Sequence, residues 1–293
     1  DVLLKADISE KYKKDWSGPP AVCPQLLCRP KNTSDLSKII KICHSHNQCI
    51  VIQGGMTGLA GGATPQHGEV ALSLERMNGV ENIDEKNMTM TAWAGTPLQA
   101  LQEAALENNL YLPIDLGARG SCTIGGNIAT NAGGTEVIRF GMTRSSVLGL
   151  EAVLADGTVV SAMNKMIKNN SGYDLKHLFI GSEGTLGVVS RVVLQLQPRP
   201  ISTHTALCAL KDYGSVISVL NNLKLRLGGG LTGFELMWAN YFDGVIEMIP
   251  HLKNPFSKEH PFYLLLEYKD NDPVLGVERF EDALFSNLEN NLL

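Results

Sequence analysis

The stretch IQGGMTGLAGGATP, residues 52–65, decides the fold of this chain. It follows a short apolar run, CIVIQ at 49–53, which is typical of a β-strand, and it holds five glycines between positions 54 and 62. Glycine loses more backbone freedom on folding than any other residue, and Met56 and Leu59 are too apolar for a flexible linker. A strand that runs into such a loop indicates backbone N–H groups gathered around an anion. The alternative is an ordinary surface loop.

Two standard phosphate-binding motifs do not account for this loop. The P-loop pattern G-x-x-x-x-G-K-[ST] needs a lysine after its last glycine, and none follows here. The dinucleotide fingerprint G-x-G-x-x-G occurs at 228–233, where it follows a helical stretch and precedes a strand. That order is the reverse of the one that binds a pyrophosphate, so we interpret the match as accidental.

Two further segments have the same character. PIDLGARGSCTIGGNIATNAGG at 113–134 combines small residues and hydroxyls with almost no bulk, and GSEGTLG at 181–187 leads into a strand. Ordering three glycine-rich segments costs backbone entropy, which is hard to explain for simple surface loops. The segments suit a long ligand that lies against the protein backbone. A diphosphate at one loop and flat rings among small residues describe a dinucleotide.

Composition limits the other functions. The 293 residues suffice for about two domains, and the net charge of −5 gives no basic surface for nucleic acid. Six cysteines without C-x-x-C spacing indicate reduced thiols of an intracellular protein rather than a disulfide framework or a zinc site. No apolar run approaches the roughly 18 residues that a membrane span needs.

Hydrophobic periodicity predicts the elements around these loops. Helices are expected at 33–47 and 96–109, strands at 49–53, 70–74, 88–95 and 186–198, and a hairpin at 147–162. Thr96 is expected as N-cap of its helix, with Pro97 at the first helical position. The pair Asp156-Gly157 predicts a type I′ turn in the hairpin.

A domain boundary is expected near Pro198-Arg199-Pro200. Beyond it, strands are predicted at 204–210, 233–238 and 262–268, and helices at 212–227, 239–249 and 273–289. Because the last helix is followed by only a few residues, we expect 199–293 to be an incomplete second domain.

Three motifs together, GGMTGLAGG, PIDLGARGSCTIGGNIATNAGG and KNNSGYDLKHLFIGSEGTLGVVS, carry a family resemblance. They resemble the FAD-binding domain of the vanillyl-alcohol oxidase superfamily, and within it the D-2-hydroxyacid dehydrogenases: D-lactate dehydrogenase, D-2-hydroxyglutarate dehydrogenase and the flavin subunit of glycolate oxidase. The resemblance is strong over 20–198 and loose over 199–293. It implies an α+β FAD-binding domain over 1–198, with subdomains at 20–75 and 76–198, followed by an α/β cap.

The resemblance also implies the residues that bind FAD. The backbone N–H groups of the first loop would hold the diphosphate, from Gly54, Gly55, Met56, Thr57, Gly58 and Leu59. The second segment would line the flavin and the ribityl-diphosphate stretch, through Pro113, Leu116, Gly117, Ser121, Cys122, Gly125, Gly126, Asn127, Ala129 and Thr130. The third would lie near the adenine or its ribose, through Gly184, Gly187 and Val188.

We expect the FAD to be non-covalent. The first loop lacks the histidine through which some superfamily members attach the flavin, and Cys122 matches a cysteine that this branch carries without a flavin bond. In KNNSGYDL, Asn169 replaces an acid and Ser171 a threonine of the commoner pattern. Lys168 is either near the flavin edge or a solvated lysine.

The implied reaction transfers a hydride from C2 of a D-2-hydroxy acid to flavin N5. A base would remove the hydroxyl proton, an arginine would hold the carboxylate, and a divalent metal often assists in this branch. The metal histidines belong to an H-x-G-D-G-N-like motif that this sequence lacks. The catalytic residues are therefore unknown, and we expect them in a C-terminal segment outside these 293 residues. Glu235 and Glu267, between apolar neighbours, either face a substrate or lie on an outer face.

Three functions stay open at this point. The first is the FAD-dependent D-2-hydroxyacid dehydrogenase, passing electrons to a quinone or an electron-transfer flavoprotein rather than to NAD(P). The second is another flavoenzyme of the same fold, similar to alkylglycerone-phosphate synthase, and the third is an FAD-binding subunit of a glycolate-oxidase-like complex. The oligomeric state is also undecided, with a homodimer as one alternative. The expected location is the cytoplasm, a membrane periphery or, in a eukaryote, the mitochondrial matrix.

Overall fold

The computed structural model describes residues 1–18 and 20–293. It divides the chain into two compact units. The first contains residues 1–134 and 142–198, and the second contains 135–141 and 199–293. The segment 135–141, which we had placed in the first domain, is thus part of the second unit.

The α-helices are α1 (Thr33–Ser45), α2 (Leu98–Glu107), α3 (Ile124–Ala129), α4 (Val137–Phe140), α5 (Lys176–Phe179), α6 (Tyr213–Leu227), α7 (Ala239–Met248) and α8 (Leu275–Glu289). The strands are β1 (Val2–Leu4), β2 (Leu26–Cys28), β3 (Ile50–Gln53), β4 (Val70–Ser73), β5 (Val80–Asp84), β6 (Thr89–Trp93), β7 (Leu110–Tyr111), β8 (Val147–Val153), β9 (Val159–Ala162), β10 (Val188–Gln195), β11 (Gln197–Pro198), β12 (Ser202–Leu210), β13 (Leu231–Trp238) and β14 (Phe262–Asp270).

The first unit is built on two main sheets. One has the strand order β1-β2-β4-β3, with β4 parallel to both β2 and β3. The other has the order β5-β6-β10-β8-β9 and is antiparallel throughout. A shared apolar core packs α1 and α2 with both sheets, and Leu36, Leu72, Leu98 and Val192 are fully buried in it. Helices with mostly antiparallel sheets confirm the predicted α+β class.

The predicted cap of α2 is wrong. The N-cap is Pro97, whose side chain carries no hydrogen-bond acceptor. The Thr96 hydroxyl instead donates to the Trp93 carbonyl at 2.7 Å. The first helical N–H groups are satisfied by the loop before α3, since Leu98 N–H donates to the Cys122 carbonyl at 3.0 Å and Gln99 N–H to that of Arg119. A tertiary partner has replaced the local cap.

The predicted hairpin of β8 and β9 is present, but its turn is not type I′. That turn needs positive φ at both central residues. Gly157 has φ +85°, whereas Asp156 does not lie in the left-handed region. The strands close through Leu154 N–H to the Thr158 carbonyl at 2.8 Å. Asp156 accepts a hydrogen bond from Thr158 N–H, also at 2.8 Å.

The second unit is an antiparallel sheet of order β12-β14-β13 with helices against it. Its apolar core includes Val219 and Leu223 of α6, Leu264 of β14 and Phe280 of α8. The glycines of the accidental fingerprint connect α6 to β13. A Cβ on Gly230 there would overlap the ring of Tyr268, so packing accounts for that glycine.

Candidate functional site

The three glycine-rich segments meet around one cavity of about 510 Å³ in the first unit. Seventeen of the predicted FAD-binding residues line it: Gly54, Gly55, Met56, Thr57, Gly58, Leu59, Leu116, Gly117, Cys122, Gly125, Gly126, Asn127, Ala129, Thr130, Gly184, Gly187 and Val188. Pro113 is buried and Ser121 is exposed, and neither lines the cavity. The volume lies in the range of small-molecule and cofactor sites.

The first loop presents unused backbone donors. Among the described residues, none accepts a hydrogen bond from the N–H groups of residues 54–60. The loop is instead held through its other groups. Gly58 O accepts from Trp16 N–H at 3.0 Å, and the Gln53 side chain donates to the Ala63 carbonyl at 3.1 Å. Unsatisfied N–H groups along one loop are the donors that an anionic ligand needs.

The backbone of this loop is also conformationally special. Met56 has φ +58° and Gly61 has φ +84°. A bulky residue rarely adopts positive φ, and such residues recur in backbone nests that bind anions. Gly58, by contrast, is not in that region. The shape of the loop therefore depends on Met56 and Gly61.

Close packing explains part of the glycine content. A Cβ on Gly55 would stand 2.8 Å from the Cys122 Cα, and one on Gly125 would stand 2.9 Å from the Ala94 carbonyl oxygen. These positions admit only glycine because another part of the backbone occupies the space. A Cβ on Gly117 would meet nothing within 4 Å. Glycines such as Gly117, whose added Cβ would meet no protein atom, leave room beside the cavity.

The third segment is attached to the second by backbone hydrogen bonds. Gly181 N–H donates to the Ile128 carbonyl at 3.0 Å, and Glu183 N–H donates to that of Ala129 at 2.8 Å. Glu183 has φ +52°, and Gly184 has φ +81°. This turn brings Gly184 and Gly187 to the cavity wall, and Gly184 lies close to Ile52 of the first segment.

Two buried polar atoms on the second segment lack partners. Within the described part of the chain, the Thr123 hydroxyl and the Asn127 side-chain nitrogen make no hydrogen bond, and both residues line the cavity. Buried polar groups normally have a partner, so a bound molecule is expected to supply one. Burial raises the pKa of the adjacent Cys122 thiol, against a smaller opposing effect of the Asn127 side chain. Cys122 is therefore a neutral thiol.

Sequence reasoning missed Asp15 and Thr123. Asp15 follows the short N-terminal turn at residues 10–12, in a stretch without hydrophobic periodicity, and no local motif marks it. It is 4% exposed and lines the cavity. Thr123 directly follows Cys122 in a segment already singled out, so its position in the motif could have identified it.

The other candidates do not join this cavity. Lys168 is exposed and does not line it. Glu235 is exposed on β13, and Glu267 forms an ion pair with Lys269 at 2.9 Å. Over residues 1–18 and 20–293, no three His, Cys, Asp or Glu side chains are grouped as a metal site would require.

The chain is similar to known proteins in sequence and in fold. A family model described as an FAD binding domain matches residues 24–163. D-2-hydroxyglutarate dehydrogenase, mitochondrial, of Arabidopsis thaliana is 40% identical over 284 residues, which are 97% of this chain and 51% of that protein. The Bos taurus protein of the same name is 39% identical, over 100% of this chain and 53% of its own length. D-2-hydroxyglutarate dehydrogenase of Xanthomonas citri pv. viticola is 38% identical, over 90% and 55%.

Solved structures agree on the fold. Alkyldihydroxyacetonephosphate synthase superposes with a TM-score of 0.77 at 18% identity, covering 93% of this chain and 51% of that one. p-Cresol methylhydroxylase superposes with a TM-score of 0.78 at 16% identity, covering 99% and 61%. The chain spans about half the length of the curated relatives it matches. None of the described helices combines the length and the apolar character of a membrane span.

Proposed function

The chain belongs to the FAD-linked D-2-hydroxyacid dehydrogenases of the vanillyl-alcohol oxidase superfamily, and we propose on that premise that it oxidises a D-2-hydroxy acid to the 2-oxo acid. Residues 1–134 and 142–198 would form the FAD-binding domain, with subdomains at 20–75 and 76–198 apart from segment 135–141, which belongs to the second unit. Residues 199–293 would form part of the substrate cap. D-2-hydroxyglutarate is the first candidate substrate, because the relatives at 38–40% identity carry that name, and D-lactate is the second.

One observation carries the proposal: the N–H groups of residues 54–60 donate to none of the described residues, at the wall of a cavity shared by all three glycine-rich segments. An FAD diphosphate fits these donors. Backbone N–H groups bind phosphate oxygens without a lysine. We assign the diphosphate to Gly54 through Leu59.

The rest of the cavity fits the remaining parts of FAD. Small residues from Gly117 to Thr130 leave room for the flavin and ribityl chain, and the unpartnered Thr123 hydroxyl and Asn127 amide would hydrogen-bond to them. Gly184, Gly187 and Val188 would lie beside the adenosine half. Because Pro113 and Ser121 do not line the cavity, we do not propose that they touch FAD.

Bound FAD would supply a flavin N5 that accepts the hydride from C2 of the hydroxy acid. The contribution of this chain is to bind and orient that cofactor, and its neutral Cys122 leaves the attachment non-covalent. A divalent metal would need ligands from residues that we have not identified. The catalytic base and the arginine for the substrate carboxylate are likewise unassigned.

The electron acceptor, the location and the assembly are proposed on the same family membership. The electron acceptor would be a quinone or an electron-transfer flavoprotein, since within residues 1–18 and 20–293 no dinucleotide fingerprint follows a strand. The location would be mitochondrial, as in the names of the plant and animal relatives. A homodimer is our assumption for the assembly. The ether-forming alternative is not favoured, because the synthase shares the fold at only 18% identity.

The test is a flavin titration of the purified chain. Protein freed of ligand should bind FAD close to one to one, with quenched flavin fluorescence and a shifted absorbance band, and should not bind NAD in the same assay. Absence of FAD binding would overturn the proposal. Anaerobic mixing of the whole enzyme with D-2-hydroxyglutarate should then bleach the flavin absorbance.

A further inference from the structure

Asp15 is a buried carboxylate at the wall of the cavity. Its Oδ1 accepts hydrogen bonds from Ser17 N–H at 3.0 Å and from the Ser17 hydroxyl. Its Oδ2 has no hydrogen-bond partner among the residues that the structure describes. A carboxylate oxygen that is withdrawn from water without a donor is costly. A donor from a bound molecule would remove that cost.

The carboxylate is ionised and therefore acts only as an acceptor. Burial alone would raise the pKa of Asp15, but the hydrogen bonds from Ser17, with the nearby Thr64 hydroxyl and Ala63 N–H, lower it below its ordinary value. An ionised carboxylate takes up hydroxyl or amino donors and repels phosphate. Asp15 is thus suited to a part of the ligand beside the diphosphate, not to the diphosphate itself.

The first loop shows which part that is. Its start abuts the second segment, where a Cβ on Gly54 would stand 2.6 Å from the Thr123 hydroxyl. Its middle passes Asp15, with a Cβ on Gly58 placed 3.6 Å from Oδ2. Its end reaches the third segment, where a Cβ on Gly62 would stand 3.4 Å from Glu183 Oε2. Asp15 therefore lies at the middle of the loop, between the second segment and the third segment, to which we assign the adenosine half.

We propose that the Asp15 carboxylate accepts a hydrogen bond from a hydroxyl group of the adenosine ribose of FAD, a role that rests on the proposed function. The ribose is joined directly to the diphosphate, and Gly58 belongs to the diphosphate loop. Asp15 is then a cofactor-selecting residue, which favours a nucleoside hydroxyl over a phosphate at this point.

The test compares FAD with two analogues made from 2′-deoxy-ATP and 3′-deoxy-ATP. Each is titrated into the ligand-free chain, and the dissociation constant is read from flavin fluorescence. A hydrogen bond to a charged group corresponds to about a tenfold to hundredfold change in affinity. We expect a loss of that size for one of the two analogues. Asp15→Asn should weaken FAD binding by a similar factor and bind FAD and that analogue equally.

Ser17→Ala is the matched control, because it removes a donor to Oδ1 and leaves Oδ2 in place. It should still distinguish FAD from the deoxy analogue. A titration with the hypoxanthine analogue of FAD covers the adenine amino group. Discrimination against that analogue alone would overturn the ribose assignment.

Equal affinity of the wild-type chain for FAD and for both deoxyribose analogues would overturn the role of Asp15. This measurement does not depend on the folding of any variant. An Asp15→Asn protein that still discriminates would do the same. If no flavin binds at all, the proposed function itself is rejected, and the role of Asp15 with it.

Discussion

The backbone of Gly55 lies so close to the carbonyl group of Ser121 that a Cβ atom on Gly55 would overlap the Ser121 oxygen. The first two glycine-rich segments therefore pack on each other, backbone to backbone, beside the cavity. This contact separates glycines that the protein needs for its own packing from glycines that the ligand needs.

Gly55→Ala should destabilise the fold. The added methyl group would meet main-chain atoms of Ser121 and Cys122 that cannot rotate away. Overpacking of this kind costs roughly 1–3 kcal/mol. The measurement is the free energy of unfolding in urea. Gly58→Ala is the control, because its Cβ meets only the Asp15 carboxylate at 3.6 Å and φ is not positive there. Equal unfolding free energies for the two variants would contradict the packing.

Gly58→Glu should abolish FAD binding while the chain still folds. The new carboxylate would stand beside Asp15 and the loop that we assign to the diphosphate, and it would repel both. Gly58 has no positive φ, so the expected loss comes from charge and bulk and not from backbone strain. Flavin fluorescence titration is the measurement, and Gly58→Gln is the control for bulk. Unchanged affinity in Gly58→Glu would mean that this loop does not hold the phosphates.

Glu75 should contribute to stability in a pH-dependent way. Burial opposes ionisation, but hydrogen bonds from Lys11, Tyr12 and Arg29 lower the pKa of Glu75 from 4.5 to about 2. A lowered carboxyl pKa stabilises the fold fully above the unfolded pKa of 4.5 and loses that effect as the pH falls towards 2.

The variant for this prediction is Glu75→Gln. It should lower the free energy of unfolding at pH 7 by on the order of 1 kcal/mol, since solvent screens the partly exposed network. The difference in unfolding free energy between the variant and the wild type should shrink steadily as the pH falls from about 5 to about 2, because Glu75 becomes protonated over that range. A difference that stays constant over this range would contradict the ionic origin.

FAD should leave the protein on acid precipitation. Nothing in the first loop offers a histidine for attachment, and the Cys122 thiol is buried with a raised pKa, which disfavours the reactive thiolate. The measurement is the yellow flavin absorbance of the supernatant and of the pellet. Yellow colour retained on the pellet would refute non-covalent binding.

The whole enzyme should reduce an artificial dye with D-2-hydroxyglutarate or D-lactate, and not with the L-enantiomer or with NAD as acceptor. The D preference rests on the family, and the acceptor on the missing dinucleotide fingerprint. Stopped-flow flavin bleaching under anaerobic conditions is the measurement. Bleaching by L-lactate and by no D-2-hydroxy acid would reject the substrate class and leave FAD binding intact.

The local sequence predicted those elements and loops whose physical cause lies in neighbouring residues. The apolar periodicity of α1 and α6, the glycine loop after β3 and the small residues around Gly125 are each encoded within a few positions. Hydrophobic spacing and glycine content act on neighbouring residues, so a short window reports them. The FAD-binding residues, in contrast, were predicted from the resemblance of three motifs to a known family, and only the fold brings seventeen of them to one cavity.

Tertiary structure decided whatever depends on a distant partner. Thr96 is a good N-cap by composition, yet the 119–122 loop satisfies the helix start instead. Asp15 has no motif around it and reaches the cavity only because the N-terminal segment packs against the first loop, with Trp16 donating to Gly58. Side-chain identity sets what a residue can donate or accept, but the fold alone decides which donor or acceptor comes within about 3 Å of it.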